Sequence, residues 1–217
     1  ALIFGPSLWV KLVMKRYSLE KPEIPGTGGE LAKHLIKRFS LKDVKVEVTE
    51  LGDHYDPIEK KVRLLQEHYE SKSLTAIAIA AHEVGHAIQD QQGDKRLATR
   101  TKMAPVVDSV ARLSAVIISL SPVIGIITRH PMPFSLLLFL GLSGFIARMM
   151  FHAVTLPIEF DASFSKALPL LREGNYISQS NEKAVSHILR AAALTYVSAA
   201  LADILNLGRW IVILLRR

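Results

Sequence analysis

The sequence predicts a mainly α-helical fold with a small β component, combined with transmembrane helices. Three observations carry this expectation. Of 217 residues, 49% are hydrophobic and the mean hydropathy is +0.25, which is high for a domain that meets only water. Two long apolar runs, Leu113–Thr128 and Phe134–Ala147, flank the turn Arg129-His130-Pro131, the pattern of a helical hairpin in lipid. A third stretch, from Ser73 to about Gln92, is rich in Ala and Ile and apolar on most sides, so it reads as a helix buried within protein.

The elements follow in order. Ala1 to Met14 is apolar and ends in Lys15-Arg16. Basic residues after an apolar run, rather than before it, argue against a secretory leader, so a truncated N-terminal transmembrane helix is expected over 1–16. Two prolines and three glycines between Lys21 and Gly29 mark a linker. Thr27 with Glu30 forms a capping box, and Leu31, Leu35, Ile36 and Phe39 continue at helical spacing. Val44 to Val48 alternates apolar and charged residues, as a half-buried strand does. Asp56-Pro57 signals a turn, and Lys60 to Leu65 reads as a second short strand.

Residues 17–102 are therefore expected to form an α+β part on the cytoplasmic side, with the buried helix over 73–92 inside it. The transmembrane hairpin is expected over 103–150. It includes Asp108 and Arg112, whose spacing lets them pair on a helix and lowers the cost of burying either. Residues 151–183 carry an amphipathic stretch with Glu159, then a polar loop turning at Gly174-Asn175. A last membrane or membrane-surface helix is expected over 184–217, interrupted by Asp203 and Gly208-Arg209.

Composition closes several routes. There is no cysteine, which excludes disulfides, thiolate ligands and cysteine nucleophiles, so any metal must be held by histidine and carboxylate. A net charge of +7 would suit nucleic acid, anionic lipid or an acidic substrate. The basic residues are scattered or sit at the ends of apolar runs, with no stripe interleaved with aromatics. The lipid bilayer is thus an expected partner and nucleic acid is not.

The chemistry lies in Ala81–Asp90, AHEVGHAIQD. On a helix His82 and His86 project from one face, one turn apart, which lets two ring nitrogens reach one Zn²⁺. Glu83 follows the first of them, where its carboxylate can serve as general base. Gly85 leaves room for close approach. The plain alternative, a pair of satisfied core histidines, is disfavoured because two imidazoles and a carboxylate are costly to bury without a partner. An open zinc site takes three protein ligands. Glu159 is the expected third, since a hairpin returns the chain to the side it left and can lay this stretch against the His82 helix. Asp161 is the runner-up, or an acceptor that orients a ligand imidazole. Both acids would otherwise be surface charges on an amphipathic helix. Asp90, one turn beyond His86, could also orient a ligand or be a solvated helix-end carboxylate. His54 and Tyr55, in a polar cluster ahead of a strand, are candidates to stabilise an oxyanion, against a turn with no catalytic part.

The segments DHYDPIEKKVRL, AHEVGHAIQD and TLPIEFDAS, in that order and with the hairpin before the last, resemble the bacterial neutral membrane zinc metallopeptidases of the YugP type. The likeness covers nearly the whole chain. It implies a multi-pass membrane protein with a zincin-like catalytic domain around a buried HExxH helix, and peptidase activity. A wider group with a glutamate third ligand, including the HtpX and CAAX-processing membrane proteases, often carries Glu-x-x-x-Asp on its ligand helix. Here Ser163 stands four after Glu159, and the acid is at Asp161.

Together these readings predict a zinc-dependent membrane endopeptidase acting on a peptide or membrane-protein substrate. His82, His86 and Glu159 hold Zn²⁺, and Glu83 is the general base for a metal-activated water. The strand near Val62 to Leu64 is expected to hold an extended substrate by edge pairing. Lys15-Arg16, the basic stretch Lys95–Lys102 and Arg148 fall on the catalytic side, which places the active site at the cytoplasmic face of a bacterial inner membrane; Arg129-His130 weigh weakly against it. A rival from another class is a zinc-binding membrane scaffold or adaptor without catalysis, in which His54 or His152 would close the metal's fourth position. A transporter built on Asp108, Arg112 and Asp203 has too few intramembrane charges to line a pathway.

Overall fold

Sixteen consecutive residues of one helix, Leu74 through Gln89, are buried, and the polar half of the protein is assembled around them. Alanines at 76, 78, 80, 81 and 87 keep this helix narrow, so neighbours can approach it from every side. The computed structural model describes residues 5–215; the expected chain ends at 1–4 and 216–217 lie outside the described residues. In chain order the first elements are α1 (Gly5–Arg16), α2 (Gly28–Arg38), β1 (Lys45–Thr49), β2 (His54–Asp56), β3 (Lys61–Leu65), α3 (Gln66–Glu70) and the buried helix α4 (Leu74–Gln91). After them come α5 (Lys95–Thr128), α6 (Pro131–Phe160), a π-helical segment Asp161–Ala167, α7 (Leu168–Glu173), α8 (Glu182–Ala193) and α9 (Thr195–Leu215). The chain is thus mainly helical with one small sheet.

Both expected helix starts are present. The Thr27 hydroxyl accepts from the Glu30 amide at 3.2 Å while Glu30 Oε2 accepts from the Thr27 amide at 2.8 Å. Ser73 caps α4 by accepting from the Ala76 amide at 3.1 Å. Val62 and Leu64 point from β3 into the core shared with α4. Their strand is central, in the order β1-β3-β2, with β1 parallel and β2 antiparallel to it. Two expectations change here. His54–Asp56, read from sequence as a turn, is a strand; three polar residues are too few to show an alternation. With β2 on one side and β1 on the other, β3 has no free edge, so Val62–Leu64 cannot hold a substrate by edge pairing. Arg63 ties the sheet together, bonding Glu47 on β1 at 2.6 Å and Asp56 on β2 at 2.8 Å.

Three helical spans are long and apolar enough to cross a membrane: Lys95–Thr128, Met132–Glu173 and Glu182–Gly208. At 1.5 Å per residue, the 34 residues of α5 extend about 50 Å, against a hydrocarbon layer of about 30 Å. A helix of that length crossing a bilayer would project from the lipid at one end, and the end bearing Lys95, Arg96, Arg100 and Lys102 is the polar one. The hairpin turns at Arg129, in the left-handed region at φ 53°, and His130 caps α6 by accepting from the Met132 amide at 3.3 Å. Asp108 and Arg112 pair at 2.6 Å on an exposed face of α5. Helix α6 continues unbroken through Glu159, so the third expected ligand rides on the last turn of the hairpin itself. Asp203 of α9 is buried beside Arg148 and His152 of α6, at 3.1 and 3.4 Å, which fixes the last helix to the hairpin.

The hairpin closes through small residues, which let two helices approach closely. A Cβ on Gly144 would strike Ser114, and one on Gly141 would strike Ile118. Gly144→Leu should gain about 1 kcal/mol of helix propensity but lose more to overpacking, about 1–3 kcal/mol. Its thermal midpoint in detergent is expected to fall by several degrees. An unchanged midpoint would mean the two helices do not pack through this face.

Candidate metal and active site

His82 and His86 stand one turn apart on α4 with ring centroids 4.7 Å apart and planes at 79°. Glu159 reaches them from the end of α6. Its Oε2 lies 3.1 Å from His82 Nε2 and 3.4 Å from His86 Nε2. Ligand atoms of the three residues all fall within 4.8 Å of one another, and all three side chains are buried.

The outward ring nitrogens decide the protonation. Gln89 Nε2 donates to the Ile158 carbonyl at 3.0 Å and to Asp161 Oδ2 at 2.7 Å. Its two N–H groups are thereby used, so its Oε1 must accept, and His86 Nδ1 donates to it at 2.9 Å. The Ser163 hydroxyl donates to the Leu189 carbonyl at 3.3 Å, which leaves its oxygen to accept from His82 Nδ1 at 3.1 Å. In both rings it is Nε2 that faces Glu159, the nitrogen left to ligate a metal. Three groups that can each offer a metal-ligating atom converge, and Glu159 Oε1 is buried with no hydrogen bond. A cation bound between them would satisfy all three. Two imidazole nitrogens and a carboxylate oxygen suit Zn²⁺, and the residues present fit it.

The close approach has a local cause. Beyond α6 the chain widens into the π-helical segment, a geometry frequent at functional sites, which holds Ser163 against His82. A Cβ on Gly85 would lie 2.8 Å from the Ala162 carbonyl oxygen, so this contact depends on glycine.

A cavity of about 230 Å³ opens over the three residues. One wall is β2 with Asp53 before it; the other is Arg100 of α5 and Tyr196 of α9. Glu83 lies in the floor. Burial pushes its carboxyl up to about 7, with His82 opposing that rise and the Glu159 charge adding to it.

The other expected residues divide. Asp161 reaches the site through Gln89 and so acts on His86 at one remove. Asp90 orients no ligand imidazole: it accepts from Tyr55 OH at 2.6 Å and Lys60 Nζ at 2.5 Å, while Gln89, one residue earlier, meets His86. Tyr55 lines the cavity with its proton committed to Asp90, and burial together with that carboxylate raises its phenol. His54 lines it too, its Nδ1 donating to the Gly52 carbonyl at 2.8 Å. His152 pairs with Asp203 instead. Among the described residues the metal-type cluster has three members, and neither His54 nor His152 joins it.

Sequence reasoning missed Gln89, Arg100 and Tyr196 as site residues. It noted Ser163 only as a departure from Glu-x-x-x-Asp, yet that position supplies the partner of His82. Arg100 was one of several cations in a basic stretch. Its Nη2 lies 3.8 Å from Glu159 Oε1.

Two outcomes follow from these bonds. Gln89→Leu keeps the bulk but removes the acceptor that fixes His86, and its Zn²⁺ affinity, measured by chelator competition, should fall about 10–100-fold. Equal affinity would show that His86 needs no such partner. On the β2 wall, burial disfavours the charged His68 imidazole, but Asp53 at 2.7 Å outweighs it and raises the pKa. A raised folded value means the stabilisation is complete below about pH 6.5, the ordinary histidine value, and is lost as pH climbs through the raised one. The midpoint difference between wild type and His68→Gln should be widest near pH 6 and close towards pH 9. A pH-independent difference would sink this account.

A model of the family described as "Putative neutral zinc metallopeptidase" matches residues 1–215. The "Putative membrane protease YugP" of Bacillus subtilis is 36% identical, over 97% of this chain and 92% of that protein. No solved structure matches the chain. The match runs almost from end to end and includes the buried histidines and glutamate that could hold a metal: the chain belongs to the neutral zinc metallopeptidase family.

Proposed function

We propose that the chain is a zinc-dependent membrane endopeptidase of the HExxH type, with His82, His86 and Glu159 as ligands and Glu83 as general base. The carrying observation is the convergence of two imidazole Nε2 atoms on a buried carboxylate whose second oxygen has no hydrogen bond. When bound, Zn²⁺ supplies Lewis acidity, polarising a carbonyl and acidifying a water.

The protein's own groups do the rest. Ser163 and Gln89 hold the two rings in the ligating tautomer. Glu83, buried and with its carboxyl near neutrality, takes a proton from the attacking water on a carboxylate oxygen and passes it to the leaving nitrogen. The buried helix α4 packed against a three-stranded sheet supports a zincin-like domain formed by residues 17–102, completed by Glu159 from the hairpin.

The site's position supports a substrate at the membrane surface. Arg100, Glu159 and Tyr196 come from the ends of three helices that also carry the candidate spans. Peptides or membrane-protein segments emerging from the bilayer would meet it there. Lys95, Arg96, Arg100 and Lys102 cluster at this end of α5, which favours the cytoplasmic face of a bacterial inner membrane. The relative named as a membrane protease supports the membrane setting. A purely structural zinc would call for a fourth protein ligand, and none joins the cluster among the described residues.

Glu83→Gln should keep its zinc and lose about 10²–10⁴-fold in cleavage of casein or a membrane-protein substrate. Glu159→Ala should lose zinc, and Asp161→Ala should retain it. Undiminished cleavage by Glu83→Gln would remove the general base from the scheme. Stoichiometric zinc with no cleavage by wild type would make the metal structural.

A further inference from the structure

A site that cuts an amide must meet the negative charge that develops on the carbonyl oxygen, and it does so with donors fixed in advance. On the β2 wall the side-chain donors of Tyr55 and His54 are committed elsewhere. Tyr55 gives its proton to Asp90 at 2.6 Å. His54 gives its Nδ1 proton to the Gly52 carbonyl at 2.8 Å, so the other nitrogen of the neutral ring holds a lone pair.

The opposite wall is arranged in the reverse sense. Arg100 Nη2 donates to the Tyr196 oxygen at 2.8 Å. A guanidinium has no lone pair to offer, so the phenol oxygen accepts there and its own O–H must point elsewhere. Among the described residues no acceptor takes that proton, and the ring lines the cavity shared with Glu83, His82 and His86. The cation on the oxygen also polarises the O–H and makes it a stronger donor. Tyr196 is mostly withdrawn from water and sits in the first turn of α9, where its ring lies 6.0 Å from that of His152. The Asp203–Arg148–His152 contacts hold α9 against α6, so the phenol has a fixed place relative to Glu159.

We propose that Tyr196 donates its hydroxyl hydrogen bond to the oxyanion formed at this site, with Arg100 positioning and polarising that hydroxyl. The assignment rests on the peptidase reading above. It makes the last membrane helix part of the catalytic apparatus rather than an anchor alone.

The test uses the full-length, zinc-loaded chain in detergent and the variant Tyr196→Phe, which keeps the ring. Its zinc content and thermal midpoint should match wild type. Its kcat should fall about 10²–10³-fold with KM within about twofold, as removal of one oxyanion donor does. A second readout is independent of turnover. By calorimetry, a phosphinic peptide carrying a tetrahedral anionic centre should bind Tyr196→Phe at least tenfold more weakly, while a peptide hydroxamate, a metal binder without that centre, binds both equally. Full kcat together with full phosphinic-peptide affinity in Tyr196→Phe would overturn the role of Tyr196. Equal loss of both inhibitors, or lost zinc, would make the residue structural and overturn it as well. A zinc-loaded wild type that neither cleaves peptides nor binds either inhibitor would instead bring down the peptidase reading.

Discussion

Three groups that can each offer a metal-ligating atom meet inside the protein at 3.1–3.4 Å, and the surrounding structure exists to hold them there. They stay together because each ring is pinned from behind, by Gln89 and by Ser163, and because the helices carrying them are forced close. Gly85 gives way to the Ala162 carbonyl, and the alanines of α4 allow neighbours in on every side. The cost of concentrating negative charge away from water is several kcal/mol unless a counter-charge is present. Arg100 supplies part of that counter-charge, and a divalent cation the rest.

The helices that form the candidate membrane spans take part in this constraint. Glu159 is presented by the end of a hairpin, and the hairpin's register is set far away, where Gly141 and Gly144 lie against Ile118 and Ser114. The polar first turns of α5 bring Arg100 to the same cavity. Helix α9 adds Tyr196 and is tied back through Asp203. A lesion deep in the hairpin can therefore reach the site without touching it, through the angle at which Glu159 arrives.

What could be read from sequence follows the distance over which each feature is decided. The capping box at Thr27, the cap at Ser73 and the paired histidines depend on residues three or four apart, and each stands as the residue pattern implies. Glu159 was legible because hairpin topology is itself a local pattern, two apolar runs and a turn. The strand His54–Asp56 was not, since its conformation comes from pairing with β3 and not from its own residues. Gln89 and Tyr196 were hidden for a similar reason. A glutamine late in a buried helix acquires meaning only when Asp161 arrives from 72 positions away to fix its amide. Tyr196 acquires it only through Arg100, 96 positions away.

Ser163 in place of an acid has an electrostatic consequence of its own. Behind His82 the chain of bonds runs through a neutral hydroxyl to the Leu189 carbonyl; behind His86 it runs through a neutral amide to Asp161. Neither ligand imidazole touches a carboxylate from behind. An aspartate at 163 would set another negative charge in a buried site that already holds Glu159 and Glu83. The hydroxyl orients the ring without adding charge. Asp161 is partly open to solvent and has Lys166 and Arg96 nearby, at 3.6 and 3.9 Å, so its charge is met outside the metal cluster. Asp161 stands two positions after Glu159 and one hydrogen bond beyond Gln89, and that glutamine supplies the orienting bond to His86.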